Sequence, residues 1–267
     1  MVQLILSLIS GKPPEEPPPP SPPPPDTPPP PSGTNLILLP NNALGARCLD
    51  GSSAGGQAVV HLCDTIAAAV PSADARCVVD SGFFVDSEDR SGNFYFRSLA
   101  QKMVALHQPN FGDCAQAYSS TYRWRCFFPQ YTISRTVSTP LFIFNTLFDN
   151  IALTIGKQLP SEKAYVSQCL GEILNRSGNI TNIVRTRSWA GLQWSTNYCT
   201  SAEREAIFES ASMVYKETLA FDDAKPSAKV FLPASSIHCA IFGASNWNKG
   251  MIGGVSFNEV LQDWLGV

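Results

Sequence analysis

Gly51-Ser52-Ser53-Ala54-Gly55-Gly56 is the stretch on which the reading of this chain turns. It matches Gly-x-Ser-x-Gly, and a serine between two glycines is what a very tight strand-to-helix turn requires, because side chains at the flanking positions would collide with neighbouring backbone. Chance alone produces the pentapeptide in roughly one chain of this length in ten, so its surroundings have to carry the argument. An apolar run leads up to Asp50, and Val59, Leu62, Cys63, Ile66 and Ala67 follow at helical spacing, which predicts a helix over 58–70. The N-terminus of such a helix favours negative charge beside Ser53. Ser53 therefore reads as a nucleophile, with a structural glycine turn as the alternative.

Outward from this turn, strands and helices alternate. Leu36-Ile37-Leu38-Leu39 is a candidate strand, Cys77-Val78-Val79 a short buried strand ending at Asp80, and residues 93–107 a helix. Pro140 opens a strand-length run, Leu141-Phe142-Ile143-Phe144, that ends at Asn145. Helices are expected over 162–174, capped by Ser161, and over 201–219, capped by Thr200 or Ser201; a last strand over 230–232 runs into Pro233. Such alternation implies an α/β fold with a mainly parallel sheet flanked by helices.

Composition bounds the rest. Of 22 prolines in 267 residues, 14 lie between Pro13 and Pro31. Proline fixes φ and removes the backbone donor, so this tract reads as an extended polyproline II rod of roughly 3.1 Å per residue. The chain divides into a proline-rich leader, 1–34, and one domain, 35–267. Nineteen basic against 22 acidic residues leave a net charge of −3. No basic surplus is available to neutralise a phosphate backbone, which argues against a nucleic-acid partner. No apolar run approaches the ~20 residues of a spanning helix. Val2 to Ile9 is apolar but lacks a basic flank and is short for a signal core.

The eight cysteines are 48, 63, 77, 114, 126, 169, 199 and 239, and none forms Cys-x-x-Cys, which argues against structural zinc. Spacing favours local loops from Cys63 to Cys77, Cys114 to Cys126 and Cys169 to Cys199, with buried free thiols as the alternative. Two glycosylation sequons, at Asn175 and Asn179, point towards secretion.

A nucleophilic serine needs a base, and there are three histidines. His61 lies eight residues along the predicted helix from Ser53, about 12 Å away, too far to reach the hydroxyl. His107 ends a helix and reads as a surface residue. His238 follows the last strand in Ser235-Ser236-Ile237-His238-Cys239, where the histidine loop of an α/β-hydrolase falls. Asp149, four residues beyond the strand that ends at Phe144, supplies the orienting acid, and Asp80 is its rival. The order Ser53, Asp149, His238 is the order of that fold. Acyl transfer by such a triad requires no metal and no organic cofactor.

These residues sit within a wider pattern. Gly51-Ser-Ser-Ala-Gly-Gly56, Asp80-Ser-Gly-Phe-Phe84, Cys126-Phe-Phe-Pro-Gln-Tyr131, Pro140-Leu-Phe-Ile-Phe-Asn145 with Asp149, Ile237-His238-Cys239 and the closing Ser256-Phe-Asn-Glu…Asp263-Trp264 resemble the pectin acetylesterase/Notum family, over roughly residues 45–267. The resemblance implies a secreted, α/β-hydrolase-like serine esterase with Ser53, Asp149 and His238 as its triad. It implies disulfides Cys63–Cys77 and Cys114–Cys126 and admits a third, Cys169–Cys199, leaving Cys48 and Cys239 without a partner. Plant members remove acetyl groups from pectin, whereas the Notum branch removes a fatty acyl group from Wnt proteins. The Cys126–Tyr131 run and the proline tract, similar to hydroxyproline-rich wall glycoproteins, favour the plant side and a cell-wall polysaccharide partner.

The family also carries a Gly-Gly-Gly-Trp strand upstream of the serine, which helps build the oxyanion hole. Nothing similar stands here, so the expectation is a domain lacking its N-terminal half, with the Ala54 N–H left as oxyanion donor; one lost donor typically costs about 10²–10³ in rate. Phe83, Phe84, Phe127 and Phe128 are candidate acyl-pocket residues, and core aromatics otherwise. Ser52 supports its neighbour. The alternatives to a pectin esterase are a non-catalytic wall-associated remnant and a lipid-acyl esterase of Notum type.

Overall fold

The computed structural model describes residues 34–38, 47–160, 199–224, 228–241, 247, 251–252 and 254–266. The proline tract, the expected helix over 162–174, both sequons and Cys169 lie outside the described residues. The chain forms β1 (Thr34–Leu38), β2 (Arg47–Ser52), α1 (Ala54–Ala69), β3 (Ala75–Asp80), α2 (Tyr95–His107), α3 (Asp113–Ala117), a 3-10 helix (Ser120–Phe127), α4 (Pro129–Thr136), β4 (Leu141–Phe144), a π turn (Ala152–Gly156), α5 (Ser201–Ala224), β5 (Ala228–Phe231), a small hairpin of β6 (Met251–Ile252) and β7 (Val255–Ser256), and α6 (Phe257–Leu265).

One five-stranded sheet runs in the order β1-β2-β3-β4-β5. Its last four strands are parallel, and β1 is antiparallel to β2. Strand β4 is buried on both faces, so its sequence, Leu141-Phe142-Ile143-Phe144, is continuously apolar rather than alternating. The sides still separate cleanly. Cys77, Val79, Leu141 and Ile143 face a core built with Val59, Val60 and Cys63 of α1 and Ile207, Phe208 and Ala211 of α5. Val78, Phe142, Phe144 and Phe231 face the other way, against Phe257 and Leu261 of α6. Register aligns Ser52 with Asp80, Asp80 with Phe144 and Phe144 with Phe231. The four strands thus end on one row, and Ser53, Ser81 and Asn145 follow at the carboxyl edge, where open parallel sheets place their ligands.

Local signals set the element ends. Thr200 caps α5: its hydroxyl accepts from the Glu203 N–H, and Glu203 accepts in return from the Thr200 N–H. Ser256 and Glu259 form the same reciprocal box at the start of α6. Helix α1 begins at Ala54, four residues earlier than apolar spacing predicts, because its first turn is the glycine pair Gly55-Gly56 packed against the sheet edge rather than an amphipathic face. β3 and β5 begin two residues earlier than expected, and α5 runs five residues longer. Among the described residues no helix is long and apolar enough to cross a membrane.

Two disulfides brace the fold, Cys63–Cys77 and Cys114–Cys126. Cys199 is also disulfide-bonded, and Cys239 is a free thiol. The first bridge ties α1 to β3, closing a loop of 14 residues. Replacing both Cys63 and Cys77 by alanine releases that constraint on the unfolded chain. The expected cost is about 3 kcal/mol, read as a lower denaturant midpoint; an unchanged midpoint would show the bridge to be thermodynamically idle.

Asp50, buried on β2, has an Oδ1 without a partner among the described residues. Burial, opposed by a backbone hydrogen bond and assisted by the nearby Asp80 charge, pushes its pKa up to about 6. An acid whose pKa rises on folding weakens the folded state as pH climbs from about 4 to about 6, and the penalty is constant above that. Asp50→Asn is therefore expected to raise Tm at pH 8, with the gain vanishing below about pH 4.

Candidate active site

The sharpest turn in the chain joins β2 to α1. Ser53 sits there at φ 55°, ψ −122°, a backbone conformation that side chains rarely adopt. The strain is held in place by a hydrogen bond from the Ser53 N–H to the Asp80 carbonyl, 2.8 Å. Gly51 shows why the flanking position has no side chain: a Cβ there would stand 2.4 Å from the Gly55 carbonyl oxygen. The Ser53 side chain is thereby lifted off the carboxyl edge at the N-terminus of α1. Ala54 opens that helix, so its N–H has no helical acceptor and is available at the same spot.

His238 arrives from the opposite side, on the loop after β5. Its Nδ1 donates to Asp149 Oδ2 at 2.7 Å, so that in the neutral ring Nε2 is the acceptor. Asp149 is itself fixed, since Oδ1 accepts from the backbone N–H groups of Ile151 (2.8 Å) and Ala152 (3.1 Å) at the start of the π turn. The histidine loop is anchored where Thr146 Oγ1 donates to the Ile237 carbonyl, 2.8 Å. Burial acts to lower the His238 pKa, but the hydrogen bond and charge of Asp149, helped by the Cys239 side chain, override it and raise the pKa well above the ordinary imidazole value.

Ser53 and His238 open onto one cavity of about 250 Å³, walled by Ala54, Gln57, Phe84, Phe96, Leu99, Ala100, Met103, Phe127, Phe128, Ile151 and Ile155. Among the described residues, Gln57 brings the one polar side chain to the lining apart from Ser53 and His238, and its Nε2 donates to the Phe127 carbonyl. Gly156 lets Phe96 lie in this wall: a Cβ there would come within 2.5 Å of the Phe96 ring. The wall is tied down behind by Asp86, fully enclosed, which accepts from Arg97 Nε and Nη2 and from the Tyr131 hydroxyl at 2.9 Å. Burial, and after it the Asp86 carboxylate, pushes the Tyr131 pKa up to about 12.

Of the residues expected from the sequence, the structure brings Ser53, Ala54, His238, Phe84, Phe127 and Phe128 to the cavity and pairs His238 with Asp149. Phe83 is a correction. It is 2% exposed and packs in the core cluster that α1 shares, while the chain turns tightly there, the Phe84 N–H bonding the Gly82 carbonyl at 3.1 Å, and it is Phe84 that faces the cavity. Asp80, the rival acid, does not meet His238; its carboxylate holds the backbone of Ala240 and Ile241. His61 packs at a tilt against Phe111 with ring centroids 5.3 Å apart, and burial lowers its pKa to about 4, against a backbone hydrogen bond at Cys126 that raises it. His107 is exposed.

Sequence reasoning missed Phe96, Leu99, Ala100 and Met103, whose i, i+3, i+4, i+7 spacing on α2 marks an apolar stripe without saying that it faces a cavity. Gln57, Ile151 and Ile155 carried no signal. Among the described residues no cluster of three or more His, Cys, Asp or Glu is placed to hold a metal ion.

Comparison with known proteins matches residues 41–267 to the Pectinacetylesterase family model. Pectin acetylesterase 11 of Arabidopsis thaliana is 27% identical over 221 residues, a match covering 81% of this chain and 51% of that protein. Pectin acetylesterase 7 of the same plant is 27% identical over 201 residues, covering 75% and 46%. The chain thus spans about half the length of these curated relatives. Among solved structures, the Wnt deacylase Notum from Drosophila superposes with TM-scores of 0.55 and 0.56 in two crystal forms, at 24% identity, covering 81% of this chain and about half of Notum. That likeness is one of fold.

Replacing Asp149 with asparagine removes the charge that favours imidazolium while leaving the ring buried. His238 is then expected to titrate below the ordinary value of about 6.5, whereas in the parent it titrates above it. NMR titration of the ring protons reads the difference, and titration at the same pH in both would sink the assignment of the pair.

Proposed function

This chain belongs to the pectinacetylesterase family, and from that premise we propose that it is a serine carboxylic-ester hydrolase working through an acyl-serine. The observation that carries the reading is the His238–Asp149 pair, 2.7 Å apart, on the same cavity as a serine held at a positive φ. Ser53 Oγ attacks the ester carbonyl carbon while His238 Nε2 takes its proton. The Ala54 N–H faces the oxygen on which negative charge collects. The carbon–oxygen bond to the leaving group then breaks, and His238 returns the proton to the departing sugar oxygen. Water, deprotonated by the same nitrogen, hydrolyses the acyl-serine and regenerates Ser53. Asp149 keeps the imidazole in the tautomer that leaves Nε2 bare and stabilises the imidazolium that forms.

The substrate we assign is an acetylated wall polysaccharide of the pectin class, supported by the names of the matched Arabidopsis proteins. The disulfides suit an oxidising compartment, and with them secretion to the cell wall. A second reading has its own support: a cavity of about 250 Å³ to which the described residues contribute ten apolar side chains exceeds what an acetyl methyl group fills and favours a longer acyl chain.

Ser53→Ala and His238→Ala are each expected to lower ester turnover by roughly 10⁴–10⁶ and to abolish labelling by a fluorophosphonate. A parent protein that takes no label would refute the enzymatic reading in favour of a non-catalytic wall protein. Turnover compared across p-nitrophenyl acetate, butyrate and octanoate, beside acetyl release from pectin, separates the two substrates.

A further inference from the structure

Asp80 is wholly enclosed, 0% exposed, and its carboxylate accepts four hydrogen bonds. Oδ2 takes Ser52 Oγ (2.8 Å) and the Ile241 N–H (2.9 Å); Oδ1 takes Ser81 Oγ (3.0 Å) and the Ala240 N–H (3.1 Å). Ser81 Oγ accepts in turn from the Cys239 N–H at 2.9 Å. The Asp80 carbonyl takes the N–H of Ser53 itself. One residue therefore holds the backbone of the nucleophile, the side chain of its neighbour and three consecutive amides directly after His238, counting the one held through Ser81.

The strain pattern is independent of these bonds and points to the same place. Among the described residues five that are not glycine have positive φ, and three of them, Ser53 at 55°, Ser81 at 51° and Cys239 at 65°, are those that Asp80 touches, adjoins or holds through Ser81. Conformations of this kind persist only where their surroundings over-determine them.

We propose that Asp80, with Ser81, is a positioning residue that sets the distance between the Ser53 turn and the His238 loop. The proposal rests on the reading of Ser53, His238 and Asp149 given above. Asp80 touches neither substrate nor reacting atom; it acts by locking two loops, contributed by strands on either side of it, to one buried carboxylate. A misplacement of about 1 Å in such a pair costs roughly 10² in rate.

Asp80→Asn is nearly isosteric but puts an amide where four donors converge, so the two donors on the replaced oxygen lose their acceptor. The expected result is a fall of about 10²-fold in kcat with KM within about twofold, and a shift of the His238 titration to lower pH as the loop drifts from Asp149. Both should occur in a protein whose circular dichroism matches the parent. Ser81→Ala, which removes the link to Cys239 and one of the four donors on Asp80, is expected to do the same more weakly and serves if Asp80→Asn fails to fold. An unchanged kcat and an unchanged His238 titration in a folded variant overturn the proposal. Ser53→Ala run alongside keeps the two readings apart. If the parent neither turns over ester nor takes the fluorophosphonate, the enzymatic reading fails, and the titration alone still decides whether Asp80 holds the loop.

Discussion

Strand register is the constraint from which the rest of this structure follows. Ser52, Asp80, Phe144 and Phe231 stand side by side on the last rung of four parallel strands. A slip of one residue in any of them would turn its side chain to the opposite face. Phe144 would then leave the aromatic cluster it shares with Phe231 and Phe257, and Asp80 would exchange its hydrogen bonds for the apolar side that α1 covers. A bare carboxylate there is costly enough to forbid the slip. Apolar burial on two faces and the Ser52–Asp80 pair on the last rung thus specify the same alignment, and that alignment delivers Ser53, Ser81 and Asn145 to a common edge.

Outside that edge the construction changes. The cavity wall owes little to the sheet and much to α2, the 3-10 helix, α4 and the π turn, held by Asp86 with Arg97 and Tyr131, by Cys114–Cys126 and by contacts among Phe84, Phe96, Trp124 and Phe128. Ser53, His238 and Asp149 hang from buried backbone at the sheet edge; Phe84, Phe96, Leu99, Met103, Phe127 and Phe128 belong to a separate layer of side chains. The Asp86 pairing is of the kind that costs a good deal to break from one side, because an unpaired buried carboxylate remains. Substitutions at Leu99 or Met103 can remodel the wall without disturbing Ser53 or His238.

Much of this was legible in the sequence, and the reasons are physical. The glycine-flanked serine can be read because the turn forbids side chains, and Leu141–Phe144 because a strand buried on both faces is uninterruptedly apolar. Asp149 and His238 could be placed because each follows a strand end. The work of Asp80 could not, since nothing in Asp-Ser-Gly says that its partners lie about 160 residues away in backbone amides. Phe83 and Phe84 are indistinguishable until the tight turn at Phe83 sends one to the core and the other to the cavity. The early start of α1 was hidden because Gly55 and Gly56 carry no hydrophobic signal at all, although close packing is the reason that they are there. The antiparallel β1 departs from the parallel pattern that alternating elements suggest.

The Cys63–Cys77 bridge joins the helix that starts at Ser53 to the strand that ends at Asp80. It closes the crossover between them into a covalent ring, so α1 cannot lift from the sheet and leave β3 behind. In partial unfolding the serine and the carboxylate beneath it belong to one cooperative unit.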